Sequence, residues 1–280
     1  MNAERNSAPH TANSRPMSTD PTDPSPAPPG LDKRDWIAGL ERGVSIIEAF
    51  DDAHPRLTAS QAGERTGMTR TAARRYLLTL QHMGYVASDG KLFWLTPRVL
   101  RLGQSYLGAA RLPRLVQPFI QRVSMQSGET VNVSVLDGHE VVYVARSNAP
   151  RFVSIGYHVG VRAPAHVVTP GVVMLSTYSD KALDAWIAEH EFASFTSHTV
   201  TEPARFREIV HAARALDYWM TDQQLDLGLS GIAMALKDRK GECKGAIGMT
   251  VQSQVYTGEQ MVEKLLPLLR EAAQSLRPLL

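Results

Sequence analysis

Cysteine is all but missing from these 280 residues: Cys243 stands alone. A single thiol cannot close an internal disulfide, which predicts a chain that folds without cross-links in a reducing compartment. No stretch approaches the roughly 18 consecutive apolar residues of a membrane span. The amino terminus has no apolar signal core either, so the expected setting is the cytoplasm. Glycine loops of the Walker or dinucleotide-binding type do not occur. The GLSG at Gly228–Gly231 lacks the G-x-S-x-G spacing of a nucleophile elbow and reads as a turn. His190, Glu191 and His198 lack the HExxH spacing and read as surface residues, while His139, His158 and His166 are scattered between strands, as core or pocket lining. The expectation is no metal, no cofactor and no catalytic residue.

Lysine is absent from one further place, Thr58 to His82, which holds four arginines and a single acid, Glu64. Arginine presents a planar fork of donors suited to guanine edges and phosphates. The chain's net charge of +2 hides an asymmetry. Leu31 to Leu112 carries 12 basic and 8 acidic residues, a net of +4, whereas Pro113 onward carries 16 basic and 17 acidic, a net of −1. A composition of 43% hydrophobic and 21% charged residues suits about two globular domains. The basic excess predicts nucleic-acid contact in the first of them and another task in the second.

Thr58 and Gln61 have capping-box spacing, so a short helix starts there and ends at Gly67. Thr69 offers an N-cap hydroxyl to a second helix, in which Ala73, Tyr76, Leu77 and Leu80 form one apolar stripe. Thr71, Arg74 and Arg75 point away from that stripe, and Arg70 sits beside the helix start. YVAS, a turn at Asp89-Gly90 and KLFWL then make a hairpin. Upstream, Asp35 is placed to cap a helix whose Ile37, Leu40, Val44 and Ile47 pack beneath the other two, closed off by DDAHP. Together these make a winged helix-turn-helix, a unit that lays its second helix in the DNA major groove. Two helices and a hairpin with solvated arginines also occur in domains that never meet DNA.

Residues 1–30, rich in Pro, Ser, Thr and Asn, read as a disordered tail. The winged helix-turn-helix spans 36–97 and a linker helix 98–112, with Pro97 in its first turn. That helix is either a plain connector or an apolar face for a second subunit. From 113 to 280 the pattern is a helix to Gly128, strands ETVNVSVL, EVVYVAR and FVSIGYHVG, and a helix that Thr169 caps and Pro170 opens. Helices at about 180–189 and 204–216, strands at 232–237 and 246–251, and one long closing helix from Glu259 to Leu279 complete it. The predicted class is α+β with one sheet in this domain.

GLERGVSIIEAF, GMTRTAARRYLLTLQHMGYV, GETVNVSVLDGHEVVYVAR, VGVRAPAHVVTPG and ALDYWMTDQQLDLGLSGIA occur in an order that resembles the IclR family of bacterial transcriptional regulators, over about Trp36 to Leu280. The resemblance implies a winged helix-turn-helix, a linker helix and a C-terminal GAF-like effector-binding domain, working as a homodimer or tetramer on a double-stranded DNA operator. MTRTAARRYLLTL and LTPRVLRLG, with Thr96 where most of the family has glycine, resemble the branch that controls aromatic-acid catabolism through the β-ketoadipate pathway. Thr69, Arg70, Thr71, Arg74 and Arg75 match the family's DNA-contacting positions. Thr169, Pro170, Thr221, Gly231, Gly248 and Thr250 match its effector-binding positions. Regulators that take small keto-acids tend to have an acid at position 221, a cysteine at 231 and serines at 248 and 250. The smaller, less polar set here implies a roomier pocket, with Val168, Met174 and Met249 as apolar walls and the helix start at Thr169 as an anchor for an acid. The expected effector is a small carboxylic acid such as 4-hydroxybenzoate, protocatechuate or β-ketoadipate. A GAF-like domain that turns over such an acid, or a core with no ligand at all, are the competing readings.

Overall fold

The computed structural model describes residues 32, 34–148 and 157–280. The tail expected over 1–30, and most of the strand expected in FVSIGYHVG, lie outside them.

Helix α1 (Ala38–Glu48), α2 (Ala59–Arg65) and α3 (Arg70–His82) precede a hairpin of β1 (Val86–Ser88) and β2 (Phe93–Leu95). The caps fall where their chemistry demands. Gln61 N–H donates to Thr58 Oγ1 at 3.3 Å while Thr58 N–H donates back to Gln61 Oε1 at 2.9 Å. Gly67 leaves α2 at φ +67°, a left-handed conformation that glycine adopts without strain. Ala72 N–H then donates to Thr69 Oγ1 at 3.2 Å to open α3. Ile46, Leu57, Leu77 and Phe93 are fully buried beneath these elements, each contributing on the order of 1.5–3 kcal/mol.

Helix α1 departs from expectation. Asp35 does not cap it; Ile37 stands at the N-cap with no side-chain bond. Ile37, Leu40 and Val44 are exposed rather than packed beneath the unit. The inward side is formed instead by Ile46 and Ala49, with Ile47 and Phe50 packed against the same core, while Gly43 faces Tyr76 at ordinary contact distance. Of the expected stripe, Ile47 reaches the core, as does Phe50 at its end, while the other three face outward.

The Thr96 hydroxyl ties the hairpin to the linker. It donates to Gly84 O at 2.6 Å and accepts from Arg98 N–H at 3.3 Å, starting a 3-10 turn at Pro97–Val99. Helix α4 (Leu100–Ala109) ends at Ala110, which is extended at φ −66°, ψ 128°. Helix α5 (Arg111–Ser127) begins two residues before the expected Pro113.

The second half is built on one antiparallel sheet in the order β5-β4-β3-β8-β7-β6. Its strands are β3 (Val131–Asp137), β4 (Glu140–Ser147), β5 (Arg162–Pro164), β6 (Trp219–Asp222), β7 (Leu229–Lys237) and β8 (Cys243–Gln252). The four residues of β6 form an unexpected strand, paired Thr221 to Gly231. Helix α6 (Thr169–Leu175), α7 (Asp180–Glu189) and α8 (Pro203–Leu216) cover one face through Val172, Leu175 and Phe206. On the other, α5 and α10 (Leu266–Leu276) meet Ile232 and Ile247. The closing helix is interrupted: a turn, α9 (Gly258–Gln260), runs through a π segment, Met261–Leu265, into α10. Pro267 supplies no N–H to the preceding turn, and the ladder widens just before it.

Candidate DNA-reading helix and effector pocket

Arg70, Thr71, Arg74 and Arg75 lie exposed along α3, on the side away from the buried Ala73, Leu77 and Leu80. None of the three arginines makes an ion pair among the described residues, so their donors face solvent. Thr69 is different. Its hydroxyl oxygen already accepts Ala72 N–H, which leaves its proton and a second lone pair for another group. The sequence did not single out a fourth cation, Arg56, whose guanidinium lies over the Trp94 ring 4.5 Å from its centre and next to the hairpin. At the hairpin turn, backbone N–H donors of Leu92 and Lys91 hold the Asp89 carboxyl below the usual carboxylate range.

The other expected set converges on a cavity. Thr169, Pro170, Thr221, Gly231, Gly248 and Thr250 all line one cleft of about 500 Å³, counted with its open mouth. The sheet explains the convergence, since Gly231 pairs with Thr221 on one side and Thr250 on the other. Thr169 arrives from α6, and its Oγ1 lies 2.5 Å from Thr221 Oγ1.

Several details correct the expectation. Thr169 does not cap α6; Val168 is the N-cap, and the Thr169 side chain turns to Thr221 instead. The helix start is a poor anion anchor. Pro170 has no N–H, and Gly171 and Val172 donate back to Val168 O, which leaves the Thr169 N–H. The glycines do not leave empty room. A Cβ on Gly231 would stand 2.4 Å from Thr169 Oγ1, and one on Gly248 would stand 2.8 Å from Ala233 Cβ. Val168 and Met249 are walls, but Met174 is buried in the core behind them and borders a separate small cavity with Cys243.

The lining also contains groups the sequence pattern did not reveal: Asn132 and Ser134 on β3, Tyr143 on β4, and Tyr157, Gln224 and Asp226 at the mouth. Tyr157 OH donates to Asp226 Oδ2 across that mouth. Burial, and then the Asp226 charge, push the Tyr143 hydroxyl pKa well above its ordinary value. Burial and the hydrogen bond to Asp226 do the same for Tyr157. Among the described lining residues Asp226 alone is charged.

The histidines are not scattered. His190 Nε2 lies 2.7 Å from His166 Nδ1 and His190 Nδ1 lies 3.2 Å from His139 Nδ1. His166 Nε2 lies 3.0 Å from Ala193 O, an acceptor, which fixes one tautomer along the whole row. Burial, then the neighbouring His166 and His139, lower the His190 pKa to about 4. His190 is therefore half-buried among rings and not a surface residue, whereas His198 and His158 are exposed. No group of three His, Cys, Asp or Glu among the described residues is placed to hold a metal ion. None of the described helices is long and apolar enough to cross a membrane.

The similarities to known proteins fall on the same two parts. Residues 39–90 match the IclR helix-turn-helix domain, and residues 104–277 match the family described as bacterial transcriptional regulator IclR C-terminal. The chain is 40% identical over 250 residues to the p-hydroxybenzoate hydroxylase transcriptional activator of Acinetobacter baylyi, covering 88% of this chain and 92% of that one. It is 34% identical over 250 residues to the Pca operon regulatory protein of the same organism, covering 88% and 90%. The inducer-binding domain of the PobR transcription factor from Acinetobacter, a double mutant solved with 3-hydroxybenzoic acid, superposes with a TM-score of 0.58 at 34% identity. It covers 61% of this chain and 100% of that domain. The chain belongs to the IclR family of transcriptional regulators.

Proposed function

We propose that this regulator binds an operator through α3 and is controlled by a small aromatic or dicarboxylic acid of aromatic-compound catabolism, held between β7, β8 and α6. One observation carries the effector reading: six residues drawn from four separate elements, spread over 82 positions from Thr169 to Thr250, line a single cavity. The division of labour is 36–97 for DNA, 98–112 as linker and 113–280 for the effector. The helical break at Ala110 falls within the linker. Arg70, Thr71, Arg74 and Arg75 contact bases and phosphates, with Thr69 contributing a hydroxyl proton.

In the cavity, an acid group meets neutral donors: the Thr250 hydroxyl, the Thr169–Thr221 pair and the Thr169 N–H. Hydrogen bonds to a charged group contribute about 1.5–3 kcal/mol each. That is enough to orient a carboxylate without a cation. Val168 and Met249 flank a flat ring. The relatives support the class, since one is a p-hydroxybenzoate hydroxylase activator and another was solved with 3-hydroxybenzoic acid. 4-Hydroxybenzoate, protocatechuate and β-ketoadipate are the compounds to test first.

The active unit is a dimer or a dimer of dimers working in the cytoplasm, where the chromosome is. A single winged helix covers too little DNA for high specificity. Ile37, Leu40 and Val44 on α1, with Leu100 and Leu102 on α4, form exposed apolar surface for the second copy. The protein is a regulator without turnover of its ligand, so the bound acid is expected to be recovered unchanged.

Calorimetry on wild type and Thr250→Val tests the pocket. Binding is expected with at least one of the three acids, weakened about tenfold in the variant, which is roughly 1.4 kcal/mol. No heat with any of them, or affinity indifferent to substitutions at both Thr221 and Thr250, rejects it.

A further inference from the structure

Asn132 is 4% exposed, in the middle strand pair of the sheet, opposite Gly248. Its side chain lines the effector cavity, and its Oδ1 is sealed from solvent with no hydrogen-bond partner. Buried side-chain carbonyls are rarely left this way, because the cost of removing them from water is not offset. The same cavity holds a second such atom, Gln224 Oε1. Gln224, however, is only half-buried on a loop, where a rotamer change can carry it to water. Asn132 stands on a paired strand between Val131 and Val133, both fully buried, and has no such exit. The remaining charge at the cavity, the Asp226 carboxylate, is another acceptor.

We propose, resting on the effector reading above, that Asn132 is the specificity-determining residue of this pocket. Its amide receives a hydroxyl carried on the ring of a hydroxylated aromatic monoacid. The ligand hydroxyl donates to Oδ1 and completes the amide. An unsubstituted ring leaves the buried amide unmet, so it binds poorly. A dicarboxylate fares no better, since its second carboxylate offers no proton and approaches Asp226. The spacing suits a ring. Asn132 pairs with Gly248 and Thr250 lies two residues further along β8. The two therefore face the cavity as diagonal neighbours, about 7–8 Å apart at the backbone.

The test is calorimetry on the full-length protein with 3- and 4-hydroxybenzoate, benzoate, 4-methylbenzoate and adipate. Wild type is expected to favour the better hydroxybenzoate over benzoate and 4-methylbenzoate by about 10- to 100-fold, as sites with unmet polar groups do. Asn132→Leu, close in volume, is expected to bring that ratio toward parity by weakening the hydroxybenzoate while benzoate affinity holds or rises. A general folding defect would weaken every ligand alike. Asn132→Ser, which keeps a hydroxyl, is expected to retain part of the preference. Equal wild-type affinity for hydroxylated and plain rings, tighter binding of adipate, or a preference that survives in Asn132→Leu overturns the assignment. Should Asn132→Leu not fold, the wild-type series and Asn132→Ser decide alone. If wild type binds none of these acids, the effector reading itself falls; if it binds the monoacids all alike, only the role of Asn132 does.

Discussion

Thr169 and Thr221, from a helix and a strand 52 residues apart, share a hydrogen bond of 2.5 Å over a residue that has no side chain. Gly231 makes that contact sterically feasible, because its Cβ would stand 2.4 Å from Thr169 Oγ1 and 3.3 Å from Thr221 Oγ1. The pair closes the polar end of the cavity, and the sheet edge is fastened to α6 by the same bond.

Gly231→Ala is therefore expected to destabilise the protein by about 1–3 kcal/mol, the usual cost of forcing an atom into a filled site. It is also expected to weaken effector binding. Gly103→Ala is the control: Gly103 is in α4 with nothing within 4 Å of its Cβ position. There the substitution is expected to stabilise by about 0.5–1 kcal/mol. Thermal melting of both variants checks the pair, and a Gly231→Ala protein that melts like wild type would contradict the packing.

Replacing Arg70, Arg74 or Arg75 by alanine is expected to weaken operator binding, by roughly 1–3 kcal/mol where the arginine reads a base. Where it meets a phosphate, the loss appears as a shallower dependence on salt. All three side chains are exposed and unpaired, so the melting temperatures are expected to stay at the wild-type value. Gel shifts across a salt series, with melting curves alongside, separate the two effects.

Leu40→Glu puts a charge in the middle of the exposed stripe on α1, where Leu40 is 67% exposed. If that stripe joins two copies, the variant sediments with a lower mass than wild type at micromolar concentration. It also footprints one half-site of an inverted repeat instead of two. A wild type that is already monomeric would end this reading.

The histidine row predicts an acid-sensitive effector domain. Folded His190 holds its proton only below about pH 4, against an ordinary 6.5, because burial and the adjacent His166 and His139 oppose its charge. Between those values the unfolded chain binds a proton that the folded one does not. Stability is therefore level above pH 6.5 and falls as the pH drops toward 4. His166 is shifted the same way by burial. Melting curves from pH 7.5 to 4.5 are expected to show this decline, and His190→Gln should flatten it.

Local signals carried much of this protein. The capping box at Thr58, the cap at Thr69, the stop at Gly67 and the alternation in β3 and β4 depend on neighbours within a few residues. They are legible in the sequence for that reason. So was the family, through the order of its motifs, and with it the six positions that line the cavity. What the sequence misjudged required distant partners. Ile37, Leu40 and Val44 look like a core face until the rest of the unit packs on α1 through Ile46, Ile47 and Ala49. Thr169 looks like a cap until Thr221 claims its hydroxyl. His139, His166 and His190 become a row only when two loops and the end of α7 meet. Asn132 gave no signal at all, since any polar residue in an alternating strand reads as solvent-facing. Only the sheet, with helices packed on both sides, turns that position toward the cleft and leaves its carbonyl without a donor.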